Sequence, residues 1–192
     1  MFNIGVVDTT FSRVDMFRFV EKVIDDVNNI HNKENNNDSG NKRNNNKSNN
    51  KHNNNSAYVI ERYTVPGIKD IPVACKILFE KYNVDICIAL GMPGPKRIDK
   101  QCGHEASIGM QQCMLMAGKH ILEVFVHMDE AFVDGKLDKK KLYKICLDRT
   151  VKHTRNAVSL LEGKTSLSKY AGHGKRQGHK DAGPIAFRQK RN

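Results

Sequence analysis

Hydrophobic and polar positions along this chain switch between two periods. Phe2 to Val7 is a short apolar, β-rich run. Met16, Phe17, Val20, Ile24 and Val27 then recur at helical spacing. Ser12 is placed as N-cap of that helix, with Asp15 three residues on, close to a capping box. Ala57 to Val65 alternates in part, offering Tyr58, Ile60, Tyr63 and Val65 for packing, until Pro66-Gly67 breaks it. Asp70 is positioned to cap a second helix that tolerates Pro72 in its first turn and has Ala74, Ile77, Leu78 and Tyr82 as its stripe. Val84 to Leu90 is almost continuously apolar, as a buried parallel strand requires. A third helix is predicted from near Gly103, with Ala106, Met110, Cys113, Met114 and Ala117 on one face. His120 to His127 reads as a fourth strand. Asp138 to Leu161 reads as a long helix on Leu142, Ile145, Cys146, Val158 and Leu161.

Strand and helix alternate four times, which predicts an α/β domain with a four-stranded parallel sheet and right-handed crossovers. Residues 1–162 form that single domain in this reading, interrupted by an Asn-rich insert at 28–56 and followed by a Gly-rich tail at 163–192. Sheets of this kind take ligands at the carboxyl ends of their strands. Four loops fall there: Asp8 to Arg13, Pro66 to Asp70, Gly91 to His104, and His127 to Asp134.

Composition changes the picture in two places. The formal charge is +11 over 192 residues, but it is unevenly spread. Residues 28–56 hold five Lys/Arg against two Asp/Glu, and residues 163–192 hold eight against one, leaving the folded body nearly neutral. The insert is about half asparagine, and Ile30 is its one aliphatic residue. It cannot bury enough apolar surface to offset chain ordering, so it is expected to be disordered. It also lacks aromatics on which bases could stack, so a nucleic-acid role is not expected of it. No run approaches the ~18 apolar residues of a membrane helix. The N-terminus has no basic region followed by an apolar run, so no secretory signal is expected. The five cysteines contain no C-x-x-C pair, and reduced thiols in a cytoplasmic protein are the expectation.

The loops carry the unusual chemistry. Phe11, at the mouth of the first strand, either stacks on a planar ring or packs on a neighbouring helix. Gly67 either lets backbone approach a ligand or simply makes the turn that Asp70 caps. Gly91-Met92-Pro93-Gly94-Pro95-Lys96 matches neither Walker A nor G-x-G-x-x-G, so nucleotide hydrolysis is not expected. His104-Glu105 is not H-E-x-x-H, because position 108 is Ile108. With the third helix starting near Gly103, His104 would lie in its first turn, where the dipole favours neutral imidazole and a proton-shuttle role; a plain N-terminal polar residue is the alternative. His127 ends a strand and is followed by Asp129, Glu130 and Asp134, carboxylates more readily read as solvated than as metal ligands. Arg149 falls on the apolar stripe of the last helix, where a cation either snorkels outward or meets an anion or carboxylate.

Several runs, in order, resemble archaeal-type riboflavin synthase. They are Gly5-Val6-Val7-Asp8-Thr9-Thr10-Phe11-Ser12-Arg13, Thr64-Val65-Pro66-Gly67-Ile68-Lys69-Asp70-Ile71-Pro72, Ala89-Leu90-Gly91-Met92-Pro93-Gly94, His104-Glu105-Ala106-Ser107, Glu123-Val124-Phe125-Val126-His127 and Ala171-Gly172-His173-Gly174-Lys175-Arg176. That family is similar to lumazine synthase. The resemblance therefore implies a flavodoxin-like three-layer sandwich, assembled as a pentamer with active sites at subunit interfaces. It implies a dismutation of two 6,7-dimethyl-8-ribityllumazine molecules to riboflavin and 5-amino-6-(D-ribitylamino)uracil by four-carbon transfer. No cofactor is required on this reading, and Mg2+ is compatible with it. The implied substrate contacts are Thr10, Phe11, Pro66, Gly67, Ile68, Asp70, Gly91, Met92, Pro93, Lys96 and Arg149, the last where the family places a phosphate-binding arginine. His104 is the implied proton shuttle, His127 the second candidate and Glu105 a possible orienter. Lumazine synthase itself is the runner-up. A basic nucleic-acid-binding protein and a silent flavin or lumazine carrier are the readings from other classes.

Overall fold

Two of the apolar runs lie side by side at the centre of one sheet. The computed structural model describes residues 1–38, 57–176 and 180–185. Its strands β1 (Phe2–Thr9), β2 (Tyr58–Val65), β3 (Ile86–Gly91) and β4 (Ile121–Phe125) are all parallel, in the order β2-β1-β3-β4. That is the flavodoxin-like order, with its switch between β1 and β3. Helices α1 (Phe17–Asp38), α2 (Ile71–Lys81), α3 (Arg97–Ala117) and α4 (Lys139–Glu162) provide the crossovers. The three-layer α/β architecture read from the sequence is the one observed.

Alternation along each strand divides the core in two. Ile4, Val6, Ile88, Leu90 and Val124 pack towards Val20 and Ile24 of α1 and Leu142 and Cys146 of α4. Val7, Cys87, Ala89 and Phe125 pack towards Ala74 and Leu78 of α2 and Ala106 and Met110 of α3. The central strand β3 is buried throughout, which is why its sequence shows no alternation. Asp138 caps α4 as expected, its carboxylate accepting from Lys140 N at 2.8 Å and Lys141 N at 3.0 Å. All five cysteines are free thiols. Among the described residues no helix is long and apolar enough to cross a membrane.

Four local expectations are corrected. Ser12 is not a helix cap: its hydroxyl pairs with Thr9 Oγ1 at 2.9 Å, and α1 starts only at Phe17. Residues 28–38, expected to be disordered, continue α1. Asn28 Nδ2 donates to Tyr58 O at 2.9 Å, its Oδ1 accepts from Tyr58 N at 3.0 Å, and the His31 ring lies 5.7 Å from that of Tyr58. These contacts dock the extension beside the start of β2, and a nucleated helix propagates at little further entropic cost. Residues 39–56 of the insert lie outside the described residues. Helix α3 begins at Arg97 rather than near Gly103, so His104 is its eighth residue and not in its first turn. The fourth loop holds a small hairpin, β5 (Phe132–Val133) and β6 (Lys136–Leu137). Its two-residue turn, Asp134-Gly135, has positive φ at both positions, as a twist-matched hairpin turn demands.

Candidate active site

The four loops converge at the carboxyl edge of the sheet. Next to last in β1 is Asp8, a buried carboxylate that accepts from Arg62 Nη2 at 2.5 Å and from the Thr64 hydroxyl at 2.7 Å. The hydrogen bond to Asp8 raises the Arg62 pKa, against an opposing effect of burial. The guanidinium also lies 4.0 Å over the Phe17 ring. A cavity of ≈ 460 Å³ opens here, bounded by Thr10, Ser12, Arg13, Asp15, Arg62 and Thr64. Thr10 N donates to Val65 O at 3.0 Å and its hydroxyl to Pro66 O at 3.2 Å. Loops one and two are thereby one unit. Phe11, next in the chain, is 64% exposed, so the alternative of packing on a neighbouring helix within the subunit does not hold.

In loop two, Gly67 N donates to Asp70 Oδ2 at 3.2 Å and Asp70 N to Gly67 O at 3.1 Å. Asp70 closes a turn ahead of α2 and is the N-cap residue of that helix by position, without a side-chain cap bond. The intervening Lys69 reaches across to α3, where its Nζ meets Glu105 Oε2 at 2.6 Å; Gln101 Nε2 donates to the other oxygen at 3.1 Å. These bonds, Lys69 first, hold the Glu105 carboxyl below its ordinary range. This ion pair links α3 to the Pro66–Asp70 loop. His104 beside it is exposed, and the dipole argument for its neutrality lapses with its place in the third turn.

Loop three continues the sheet beyond its last formal rung. Val126 N donates to Gly91 O at 3.0 Å and Met128 N to Pro93 O at 3.1 Å. Gly91 is tightly enclosed: a Cβ there would stand 2.6 Å from the Phe125 ring and 3.1 Å from Ile68 Cδ1. Met92 is buried in the core, with its sulfur 3.5 Å from Arg13 N. Pro93 is buried as well, whereas Lys96 is exposed at the N-cap of α3.

Loop four is held by ion pairs. Arg149, buried on α4, donates to Glu130 Oε1 at 2.9 Å and Oε2 at 2.5 Å, and to Phe125 O at 2.5 Å. Burial pushes the Glu130 carboxyl up, but the Arg149 hydrogen bond and charge outweigh it and the net shift is downward. Lys100 meets Asp129 at 2.5 Å. These two carboxylates, read from the sequence as solvated, are thus neutralised by cations from helices the sequence pattern could not place beside them. Among the described residues no group of three His, Cys, Asp or Glu is placed to hold a metal. His127 sits against α3, its Cε1 3.9 Å from where a Cβ at Gly103 would be, and its Nδ1 is buried with no hydrogen-bond partner in the described residues.

Sequence reasoning passed over one residue, Glu123. It is half-buried on β4, and burial raises its carboxyl above the ordinary range. The signal was available: it is the one charged residue in the apolar run Ile121 to Val126. A second, larger cavity of ≈ 690 Å³ lies between α1, α4 and the tail, with Lys152, Arg155, Tyr170 and Arg176 among its walls. Arg149 meets the end of β4, so the later residues of α4 that line this cavity run away from the carboxyl edge.

A parallel sheet in this order, with its exposed aromatic, tethered loops and cavity at the carboxyl edge, defines a doubly wound α/β protein built to hold a small ligand between strand ends. The chain belongs to the 6,7-dimethyl-8-ribityllumazine synthase family, whose model matches residues 43–163. It is 40% identical to a riboflavin synthase of Methanothermobacter thermautotrophicus over 185 residues, 96% of this chain and 100% of that one. It is 38% identical to a riboflavin synthase of Archaeoglobus fulgidus and 36% to one of Aeropyrum pernix, each over 95% of this chain and 97% of the relative.

Proposed function

We propose that this protein is a riboflavin synthase, a transferase that moves a four-carbon unit between two molecules of 6,7-dimethyl-8-ribityllumazine to give riboflavin and 5-amino-6-(D-ribitylamino)uracil. The observation that carries this over the lumazine synthase alternative is Arg149. Both of its terminal nitrogens are taken by Glu130 and the Phe125 carbonyl and its Nε is buried, so it presents no exposed charge to a phosphate. A substrate without phosphate is what the dismutation uses. The whole-length similarity to relatives named riboflavin synthase points the same way.

The chemistry asks for two flat heterocycles held in one relative orientation, and such positioning can supply ~7–11 kcal/mol of the barrier. Phe11 is the stacking surface, and Thr10 with the Pro66-Gly67-Ile68 backbone holds ring and ribityl oxygens. Asp70 and Glu105 shape that loop, Gly91, Met92 and Pro93 form the floor, and Lys96 is a free donor at the rim. The acidic C7 methyl must lose a proton, with His104 and His127 as candidates to receive or relay it. No redox cofactor is needed, because one lumazine is the donor and the other the acceptor. Mg2+ is optional. The site is completed by a neighbouring subunit in a cyclic pentamer. A cytoplasmic setting suits the five free thiols.

The test is incubation of purified protein with 6,7-dimethyl-8-ribityllumazine alone, following riboflavin by absorbance and fluorescence. Riboflavin forms without an added four-carbon donor, and His104→Ala slows its formation. Binding without turnover would point to a carrier or to lumazine synthase holding its product, and unchanged turnover in the variant would remove His104 from the chemistry.

A further inference from the structure

The ≈ 690 Å³ cavity between α1, α4 and the tail has no part in the reaction proposed above. Its volume is that of an ordinary small-molecule site, about 300–1,000 Å³. One wall is α4, where Lys152, Arg155 and Ser159 recur at spacings of three and four and so share a face. The other wall is the tail, and it is folded. Ala182 N donates to Gly174 O at 2.9 Å, and the chain closes so tightly that a Cβ at Gly174 would stand 2.5 Å from Gly183 O. Asp181 accepts from Lys175 Nζ at 2.8 Å and from Arg176 N at 3.1 Å, which fixes the backbone that carries Arg176. Val27, Val158 and Leu167 add apolar surface.

Four cations therefore meet at one cavity: Lys152 and Arg155 from α4, Lys175 and Arg176 from the tail. Asp181, the one acid of residues 163–192, is the one carboxylate among the described walls. It is spent on Lys175, and Lys152 pairs with Asp148 at 2.9 Å. The Arg155 and Arg176 guanidinium groups have no ion pair or hydrogen bond among the described residues. Gathering like charges in a concavity costs repulsion that the fold gains nothing from, and it draws anions in. A guanidinium fork matches phosphate oxygens in pairs. A bare phosphate would leave most of the cavity empty, whereas the apolar surface suits an organic body attached to it.

The same geometry argues against a nucleic acid. Tyr170 is the aromatic of the walls, and Lys169 Nζ and Lys175 Nζ lie 5.2 and 6.0 Å over its ring, where a base would have to stack. A second copy of the chain is not the occupant either. The exposed apolar residues Ile108, Leu115 and Met116 are on α3, across the sheet from α1 and α4, so association through them leaves this cavity open.

We propose that this cavity binds a phosphorylated small molecule of about nucleotide size, at a second site away from the carboxyl edge. Arg155 holds phosphate oxygens from the α4 wall and Arg176 from the tail wall. Lys152 and Lys175 add charge, and the apolar surface takes the body. The ligand is bound without any bond being made or broken, and the proposal stands apart from the synthase reading.

The experiment is isothermal titration of the full chain with ATP as the probe, repeated with adenosine, inorganic pyrophosphate and a single-stranded RNA oligonucleotide. Wild type, Arg155→Gln, Arg176→Gln and Lys144→Gln are compared, the last an exposed lysine of α4 outside the cavity. Wild type is expected to bind ATP with Kd below about 1 mM, pyrophosphate more weakly and adenosine not measurably. Arg155→Gln and Arg176→Gln each raise Kd about tenfold or more, the usual scale for a hydrogen bond between charged groups. Lys144→Gln leaves Kd near wild type. ATP also raises the Tm of wild type but not of the Arg155→Gln, Arg176→Gln double variant. Both arginines are exposed, so the variants fold, and their Tm without ligand checks it. Absence of ATP binding overturns the proposal, as does a Kd unchanged in both arginine variants or raised equally by Lys144→Gln. Pyrophosphate binding as tightly as ATP overturns the nucleotide-sized ligand, and RNA binding more tightly than ATP through the same arginines overturns the small-molecule occupant. Riboflavin formation is measured separately, and its outcome leaves this proposal untouched.

Discussion

Arg149 shows how one side chain can be decided by two opposing costs. Burying a guanidinium is expensive, and here the expense is offset by a two-pronged carboxylate and a carbonyl. Glu130→Gln keeps the shape and removes the charge. It is expected to cost about 1–3 kcal/mol at neutral pH, below the ~3–5 kcal/mol of a fully buried pair because the Glu130 side chain is 26% exposed. The pH dependence has a definite sign. A carboxyl whose folded pKa is depressed contributes its stability above the ordinary value of about 4.3 and loses it as pH falls through the lower folded value. The gap between wild type and Glu130→Gln in urea unfolding therefore closes on acidification; a gap that stays constant to low pH would contradict the pairing. Arg149 was legible as a cation on an apolar stripe, but its partner was not, because Glu130 approaches from another element. Phe11 was likewise legible as an aromatic at the mouth of β1, and His127 as the histidine that follows β4. Glu123 was overlooked because a lone acid in a strand looks like a solvent-facing position until α3 is laid over it.

At the scale of elements, the site depends on how closely β3 and β4 approach loop two. Gly91 is the point where all three meet, and only a residue without Cβ fits against Phe125 and Ile68. Gly91→Ala is expected to destabilise by about 1–3 kcal/mol, the usual range for overpacking. It should also raise KM for the lumazine, since Ile68 belongs to the loop proposed to hold the substrate. Thermal unfolding and steady-state kinetics check both; a variant with wild-type Tm and KM would mean that the Phe125 ring yields freely. Periodicity located all four main strands and all four main helices. It misplaced the starts of α1 and α3, because a helix begins where its first turn finds partners. Lys96 N finds Asp99 Oδ2 at 3.0 Å, well before the apolar stripe of α3 opens at Ala106.

For the whole molecule, the outer face of α3 is the telling surface. Ile98, Ile108, Leu115 and Met116 are 58%, 43%, 86% and 73% exposed, an apolar row unsuited to water. The pentamer expected from the family resemblance would cover such a face. Light scattering at micromolar concentration is expected to give about five times 21.8 kDa, and Leu115→Glu to lower that mass. A monomeric wild type would remove the interface-site model. The sequence by itself determined the alternation of elements, the two-sided core and the identity of the edge loops, since these follow from the local periods of burial and from the residues that break them. Only the tertiary structure decided which charges neutralise one another and how far α1 extends into the Asn-rich segment. Those outcomes depend on pairs of groups from separate elements, such as Asn28 with Tyr58 or Glu130 with Arg149. Their distances are set by how the layers pack, and no local pattern along the chain encodes them.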